Sequence, residues 1–137
     1  MSNNLAFQVR LSDPYDEAID RVSEALKFEG FGILTQIDVK ATLKQKLDAD
    51  FRPYIILGAC NPPLSKRALE NEALSGLLLP CNVTVEETAD GSLVSIVNPE
   101  VLLDVGELGE NPVVFEVATE ARVRLERVAM SLRSNNQ

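Results

Sequence analysis

The stretch Tyr54-Ile-Ile-Leu-Gly-Ala-Cys-Asn-Pro-Pro63 carries the pattern that decides the fold of this chain. Residues 54–59 have no charge, as expected for a strand buried on both sheet faces, or on one face and at an interface. Asn61 and Pro62 each precede a proline, which favours extended backbone, so the strand should end there and a helix should begin at Pro63. The sequence therefore predicts a buried strand that runs directly into a helix.

A second Cys-Asn pair follows another apolar run, in Gly76-Leu-Leu-Leu-Pro-Cys-Asn-Val-Thr-Val85. Residues 80–87 alternate apolar and polar side chains, and Asp90-Gly91 then turns the chain into a second strand at 92–97. Both cysteines, Cys60 and Cys81, consequently fall near the ends of strands that could be neighbours.

Periodicity predicts the remaining elements. Alternation of period two indicates a strand at 5–11, and an apolar, β-branched segment indicates another at 30–37. Helical spacing indicates helices at 15–29, 39–47 and 113–132, the first two preceded by the candidate N-caps Asp13 and Asp38. Residues 100–110 read as an irregular or single-turn connector. The order β-α-β-α-β-α-β-β-α predicts an α+β or α/β two-layer sandwich, in which helices pack on one face of a mixed sheet of about five strands.

Length and charge limit the classes of function. A chain of 137 residues with 45% hydrophobic residues is expected to form a single domain over 1–137 with its own core. The 21 acidic and 13 basic residues give a net charge of -8, which disfavours nucleic acid and membrane surfaces as partners. No apolar stretch reaches the roughly 20 residues of a membrane span, and the first ten residues lack a signal-peptide pattern. We therefore expect a soluble, cytoplasmic protein.

The complete absence of histidine removes the commonest general base and metal ligand. Ser-His-Asp and Cys-His relays cannot be built within one chain, and two thiolates leave a zinc site half filled unless carboxylates or a second subunit complete it. We accordingly predict no metal site. Neither common nucleotide-binding fingerprint occurs, and no cofactor can be assigned.

Cys60 and Cys81 have several interpretations. Packing as small hydrophobic residues is favoured, because each lies where its apolar run could bury it. Alternatively, the helix beginning near Pro63 could stabilise a Cys60 thiolate. Shared metal ligation or a regulatory disulfide are further alternatives. In a reducing compartment the default state of both thiols is reduced.

Four other side chains are candidate ligand-binding groups. Asn61 and Asn82 repeat the same amide after each thiol, where it could bond a ligand or, as is common at strand ends, the nearby backbone. Asp38 and Lys40 stand at the other junction from strand to helix, most simply as a cap and a solvated charge. Lys40 is the better functional candidate, because a cation in the first turn of a helix is electrostatically unfavourable and needs a reason.

Three segments together resemble the domain-of-unknown-function family numbered 302. They are Gly32-Ile-Leu-Thr-Gln-Ile-Asp-Val-Lys-Ala-Thr-Leu43, Phe51-Arg-Pro-Tyr-Ile-Ile-Leu-Gly-Ala-Cys-Asn-Pro-Pro63 and Gly76-Leu-Leu-Leu-Pro-Cys-Asn-Val83. The resemblance implies a compact two-layer α/β domain that tends to form homodimers, and it implies no reaction. The positions that match the family's motifs are Asp38, Lys40, Cys60, Asn61, Pro80, Cys81 and Asn82.

These observations leave three hypotheses, and whether the protein is an enzyme stays open. The first is a homodimeric domain that binds a small ligand where the two Cys-Asn strand ends and Lys40 converge. The second is a thiol-dependent enzyme or redox protein that uses Cys60, with Cys81 as its partner. The third is a protein-interaction module without a small-molecule site, for which the acidic connector at 100–110 is the best candidate surface.

Overall fold

The computed structural model describes residues 4–134, and its elements follow the predicted order. The strands and helices are β1 (Ala6–Leu11), α1 (Tyr15–Phe28), β2 (Gly32–Asp38), α2 (Val39–Leu47), β3 (Tyr54–Cys60), α3 (Pro62–Asn71), β4 (Cys81–Thr88), β5 (Gly91–Val97), α4 (Pro99–Leu102) and α5 (Pro112–Ser134). Short 3₁₀ helices at Ala73–Leu78 and Gly106–Glu110 complete the connections. The Leu79–Pro80 peptide is cis.

The five strands form one sheet in the order β1-β5-β4-β3-β2, and all four pairings are antiparallel. The expectation of a mixed sheet, with both parallel and antiparallel pairings, was therefore wrong, whereas the number of five strands was right. A helical connection can return the chain in either direction, and periodicity along one segment says nothing about the direction of its neighbour. β1 and β2, which are consecutive in the chain, form the two opposite edges.

The sheet has one covered face and one open face, which confirms the two-layer arrangement. Helices α1, α3 and α5 pack on the covered face, where Leu57, Val83 and Val94 have no exposed surface. On the open face Gln8 and Ser95 lie opposite each other, and Gln8 Nε2 donates to Ser95 Oγ over 3.0 Å. The alternation predicted for the strands thus separates core from surface.

The helix starts agree only in part with the predicted caps. Asp38 caps α2, with Oδ1 accepting the Ala41 N–H over 2.9 Å. Asp13 does not cap α1, because Pro14 occupies the N-cap position and Asp13 instead forms a 2.7 Å ion pair with Arg21. Helix α3 begins at Pro62, one residue earlier than predicted, with Asn61 as its cap.

The connector between β5 and α5 covers part of the core. Leu103 and Leu108 are buried against Val114 and Ala118 of α5. Helix α2 differs from the long helices, because it buries none of its residues. Within the part of the chain that the structure describes, no helix combines the length and apolarity of a membrane span.

Candidate functional site

The two cysteines lie on neighbouring strands but in different surroundings. Ala59 of β3 lies opposite Cys81 of β4, so these two side chains share the covered face of the sheet. Cys60 is the next residue along β3, and alternation directs its side chain to the other side. Cys81 is buried, Cys60 is half-buried, and both are free thiols. The predicted proximity of the strand ends is confirmed, whereas the two thiols do not face a common space.

Cys81 has the properties of a core residue. Burial, and secondly the charge of a Cys60 thiolate, raise the pKa of Cys81 from 9.0 to about 11. At neutral pH the side chain is therefore a neutral thiol, and only a very small fraction is the thiolate that nucleophilic chemistry requires. The packing interpretation of Cys81 is the one that this geometry supports.

Cys60 lies beside the first turn of α3. Its Sγ is 3.1 Å from Ser65 Oγ, and either atom can donate in this contact. Ser65 also continues the helix, since its N–H donates to the Asn61 carbonyl over 2.9 Å. The strand end, the thiol and the helix start therefore form one hydrogen-bonded corner of the fold.

Asn61 holds this corner together and is itself buried. Its Oδ1 accepts the Leu64 N–H over 3.3 Å, which satisfies one of the unpaired donors at the helix start. Its Nδ2 lies against Gly30, whose φ of +87° favours glycine and where an added Cβ would be 2.9 Å from that nitrogen. These contacts account for Asn61 as a structural residue.

Asn82 is exposed on the open face of the sheet, opposite Gly58. No hydrogen bond of its side-chain amide is found within residues 4–134. The two Cys-Asn pairs are thus reversed in burial, because the first buries its asparagine and the second buries its cysteine. The first pair leaves only the half-buried Cys60 thiol partly accessible, whereas the second pair presents an exposed amide.

Asp38 and Lys40 lie at the other end of the sheet. Gly32 of β2 pairs with Cys60, whereas Asp38 pairs with Ile55, about 20 Å further along the strand at roughly 3.3 Å per residue. Lys40 Nζ donates to the Phe51 carbonyl over 3.1 Å. That bond gives the first-turn lysine a structural partner. Within one chain, Asp38 and Lys40 are not brought together with the Cys-Asn corner.

A cavity beneath the corner is very small. Its volume of about 20 Å³ is enough for a single water molecule but not for a metabolite. The cavity is bordered by Phe31, Ala59, Asn61, Leu64, Ser65, Ala68, Leu79, Cys81, Pro99, Leu103, Val117 and Ala121.

A groove of about 220 Å³ opens beside Asn82. Its lining side chains are uncharged and, except for that of Asn82, apolar, while polar atoms still form a substantial part of the groove surface. The lining residues are Leu77, Leu78, Leu79, Pro80, Asn82, Val97 and Leu102. Sequence reasoning identified Asn82 but not Leu77, Val97 or Leu102. The sequence signal that could have identified them is the uncharged apolar run at 76–79, which adds more apolar surface than the helices of one chain readily cover.

A larger furrow of about 520 Å³ runs along the outer surface of α5, and every residue that lines it belongs to that helix. Its charged groups already have partners. Arg124 pairs with Glu120 at 2.8 Å, and Arg127 pairs with Glu29 at 3.0 Å. A surface formed by a single helix with internally paired charges lacks the converging polar groups of a specific small-molecule site.

Metal binding finds no support among these side chains. Across residues 4–134 no group of three or more cysteine, aspartate or glutamate side chains could hold a metal ion. The carboxylates nearest in sequence to the corner also have other roles: Glu70 pairs with Lys66 at 2.6 Å, and Glu72 accepts the Leu74 N–H over 3.1 Å.

Comparison with known proteins places this geometry in a family. Residues 7–132 match the family model described as domain of unknown function DUF302. The fold is similar to the crystal structure of an uncharacterised conserved DUF302 protein from Bacillus stearothermophilus, with 32% identity and a TM-score of 0.82. That match covers 94% of this chain and 98% of the other. The search of curated proteins gave no match.

Proposed function

The chain belongs to the DUF302 family of unknown function, and from its geometry we propose that it is a homodimeric protein that binds a small, neutral, largely apolar molecule. The site of this proposal is the groove beside Asn82, next to one of the two Cys-Asn strand ends. The proposal requires no turnover. A cytoplasmic location is part of it, in keeping with two free thiols in the chain.

The observation that carries the proposal is the Asn82 amide, which is exposed in a groove of apolar side chains and has no hydrogen-bond partner among residues 4–134. Small-molecule sites typically combine apolar walls with a few polar groups that fix orientation. An amide both donates and accepts, so it suits a ligand with a carbonyl, hydroxyl or amide group. Since none of the lining residues is charged, the ligand should be neutral.

The groove volume also limits the ligand. About 220 Å³ lies below the range of roughly 300 to 1,000 Å³ that is usual for drug-sized molecules. A short branched or cyclic molecule with one polar group fits this description. A nucleotide or another large anion does not, and the net charge of -8 would repel it.

The other two hypotheses have less support. A thiol-dependent activity of Cys60 stays a prediction, with the contact to Ser65 as its nearest structural feature and no histidine to serve as base. A pure interaction module would use the connector at 100–110. There Leu103 and Leu108 are buried against α5, which reduces the apolar surface that the connector could offer a partner.

A fragment screen would test the proposal. Short neutral amides, alcohols and ketones would be titrated into isotopically labelled protein, and amide chemical shifts would report where each binds. We expect a subset to perturb residues around Asn82. Asn82→Leu keeps the bulk but removes the amide, and it should weaken binding roughly 3- to 10-fold, the effect of one hydrogen bond.

Two lysine substitutions separate the groove from the α5 furrow. Leu77→Lys places a charge among the uncharged lining residues of the groove and should therefore abolish binding of a neutral ligand. Leu77 is 79% exposed, so it can be replaced without disturbing the core. Val123→Lys places the same charge in the furrow and should leave binding unchanged. A panel without any binder to the groove, or binding lost only in Val123→Lys, would overturn the proposal.

A further inference from the structure

Strand β2 is an unprotected edge of the sheet. Within residues 4–134 its one sheet neighbour is β3, and every residue of β2 except Ile33 is exposed. Among residues 4–134, none of the backbone hydrogen bonds of turns, loops and caps involves residues 32–37 of this strand. One side of β2 therefore presents free N–H and C=O groups to whatever approaches.

Native edge strands usually carry features that prevent pairing with another chain, such as charged side chains, proline or a covering segment. The opposite edge, β1, has such features: Arg10 is exposed, and Arg133 donates to the Gln8 carbonyl over 3.0 Å. β2 contains no proline, and its one charged residue is Asp38, at the end of the strand. A register irregularity between Ile33 and Thr35 is the one interruption.

The segment that follows β2 is equally short of contacts. Helix α2 has nine residues and buries none of them, although helices this short depend on tertiary packing for their stability. Leu34 and Ile37 of β2 are 66% and 48% exposed, and Leu47 at the end of α2 is 70% exposed. This segment therefore offers both backbone groups and apolar side chains to a partner.

We infer that the partner is a second copy of this chain, with β2 pairing antiparallel to β2 of that copy across a two-fold axis. An antiparallel edge is self-complementary under two-fold symmetry, because each strand donates to the other the same backbone N–H···O=C hydrogen bonds that it accepts. The pairing would join the two sheets into one. The inference rests on the homodimer in the proposed function but not on the groove.

Charge favours this surface over others for two copies of an acidic protein. Residues 30–50 contain three lysines and three aspartates and are therefore neutral overall, whereas the whole chain has 21 acidic and 13 basic residues. Two copies with a net charge of -8 each repel least where the local charge is neutral, as it is here, where Lys44 pairs with Asp48 of its own chain at 2.9 Å. Screening beyond about 8 Å at physiological salt reduces the residual repulsion.

Interface size indicates which side chains must take part. A stable interface usually buries on the order of 800 Å² per partner, and one pair of strands supplies only part of that area. Leu34, Ile37 and Leu47 must therefore be covered as well. Val39 and Leu43 of helix α2, which are only half-buried in the isolated chain, would then be covered more completely.

Leu34→Lys tests the inference, with Met130→Lys as its matched control. Both replace a similarly exposed apolar residue, 66% and 61%, and Met130 lies on the outer surface of α5. Light scattering at micromolar concentration should return about twice the 15.0 kDa chain mass for the wild type and for Met130→Lys. Leu34→Lys should return the chain mass, with dimer affinity reduced at least about tenfold, since a charge on an edge strand opposes pairing.

Hydrogen exchange in the wild type gives a second measurement that needs no variant. Amides of Gly32–Asp38 that do not face β3 should become more protected as protein concentration rises, while amides of β1 should not change. A monomeric wild type, a Leu34→Lys variant that remains dimeric, or concentration-independent exchange in β2 would overturn the inference. Fragment binding at Asn82 is measured separately, so failure of either idea leaves the other testable.

Discussion

Alkaline pH should destabilise the native protein through Cys81. The pKa of this thiol is raised from 9.0 to about 11 by burial and by the charge of Cys60. The native state therefore retains the proton to higher pH than the unfolded chain. Stability from this group is fully present below about pH 9 and is lost as pH rises through about 11. The difference corresponds to roughly 3 kcal/mol in total, at 1.36 kcal/mol for each tenfold change in proton affinity.

Urea unfolding of the wild type, Cys81→Ala and Cys60→Ala at about pH 7 and about pH 10 would measure this effect. Lysines and tyrosines also titrate in this range, so the comparison between proteins isolates the thiol. The stability lost by the wild type between the two pH values should exceed that lost by Cys81→Ala by roughly 1 kcal/mol. Cys60→Ala should retain most of the alkaline loss, because burial is the larger cause of the raised pKa. An identical loss in the wild type and Cys81→Ala would refute the reasoning.

Two further substitutions test the structural roles described above. Asn61→Ala should lower the free energy of unfolding by roughly 1 to 2 kcal/mol, since it removes a buried cap from α3. Asn82→Ala should change that free energy by less than about 0.5 kcal/mol. Equal losses for the two variants in urea denaturation would contradict the structural role of Asn61. Gly58→Ala should cost roughly 1 to 3 kcal/mol, because the added methyl would collide with the Thr35 hydroxyl and with Pro80. Combining it with Thr35→Ala should recover part of that loss in a double-mutant cycle, and strictly additive losses would show that the collision is not the cause.

Much of the fold could be predicted because its elements have strong local signals. The alternation in β4 and β5, with Asp90-Gly91 between them, identified the hairpin, and the helical spacing after residue 112 identified α5. Asp38 was recognised as a cap from its position before a helical segment. Asp13 was misassigned because sequence alone does not reveal that Arg21 lies within reach of its carboxylate.

The candidate site was predicted less completely. Cys60, Asn61, Cys81 and Asn82 were identified correctly as residues of neighbouring strand ends. Their burial was not predictable from the repeated dipeptide, because the first pair buries its asparagine and the second buries its cysteine. Lys40 was expected at the same place, yet the pairing of β2 with β3 separates it from that end of the sheet.

The sequence by itself determined the order and type of the elements, since each strand or helix must bury one side and therefore carries its own period of apolar residues. Only the tertiary structure decided the antiparallel order of the strands, the opening of a groove at Asn82 and the exposure of β2 and α2. These features depend on contacts between residues far apart in the chain. Their free energy comes from the packing of one element on another, and no local pattern encodes which elements will meet.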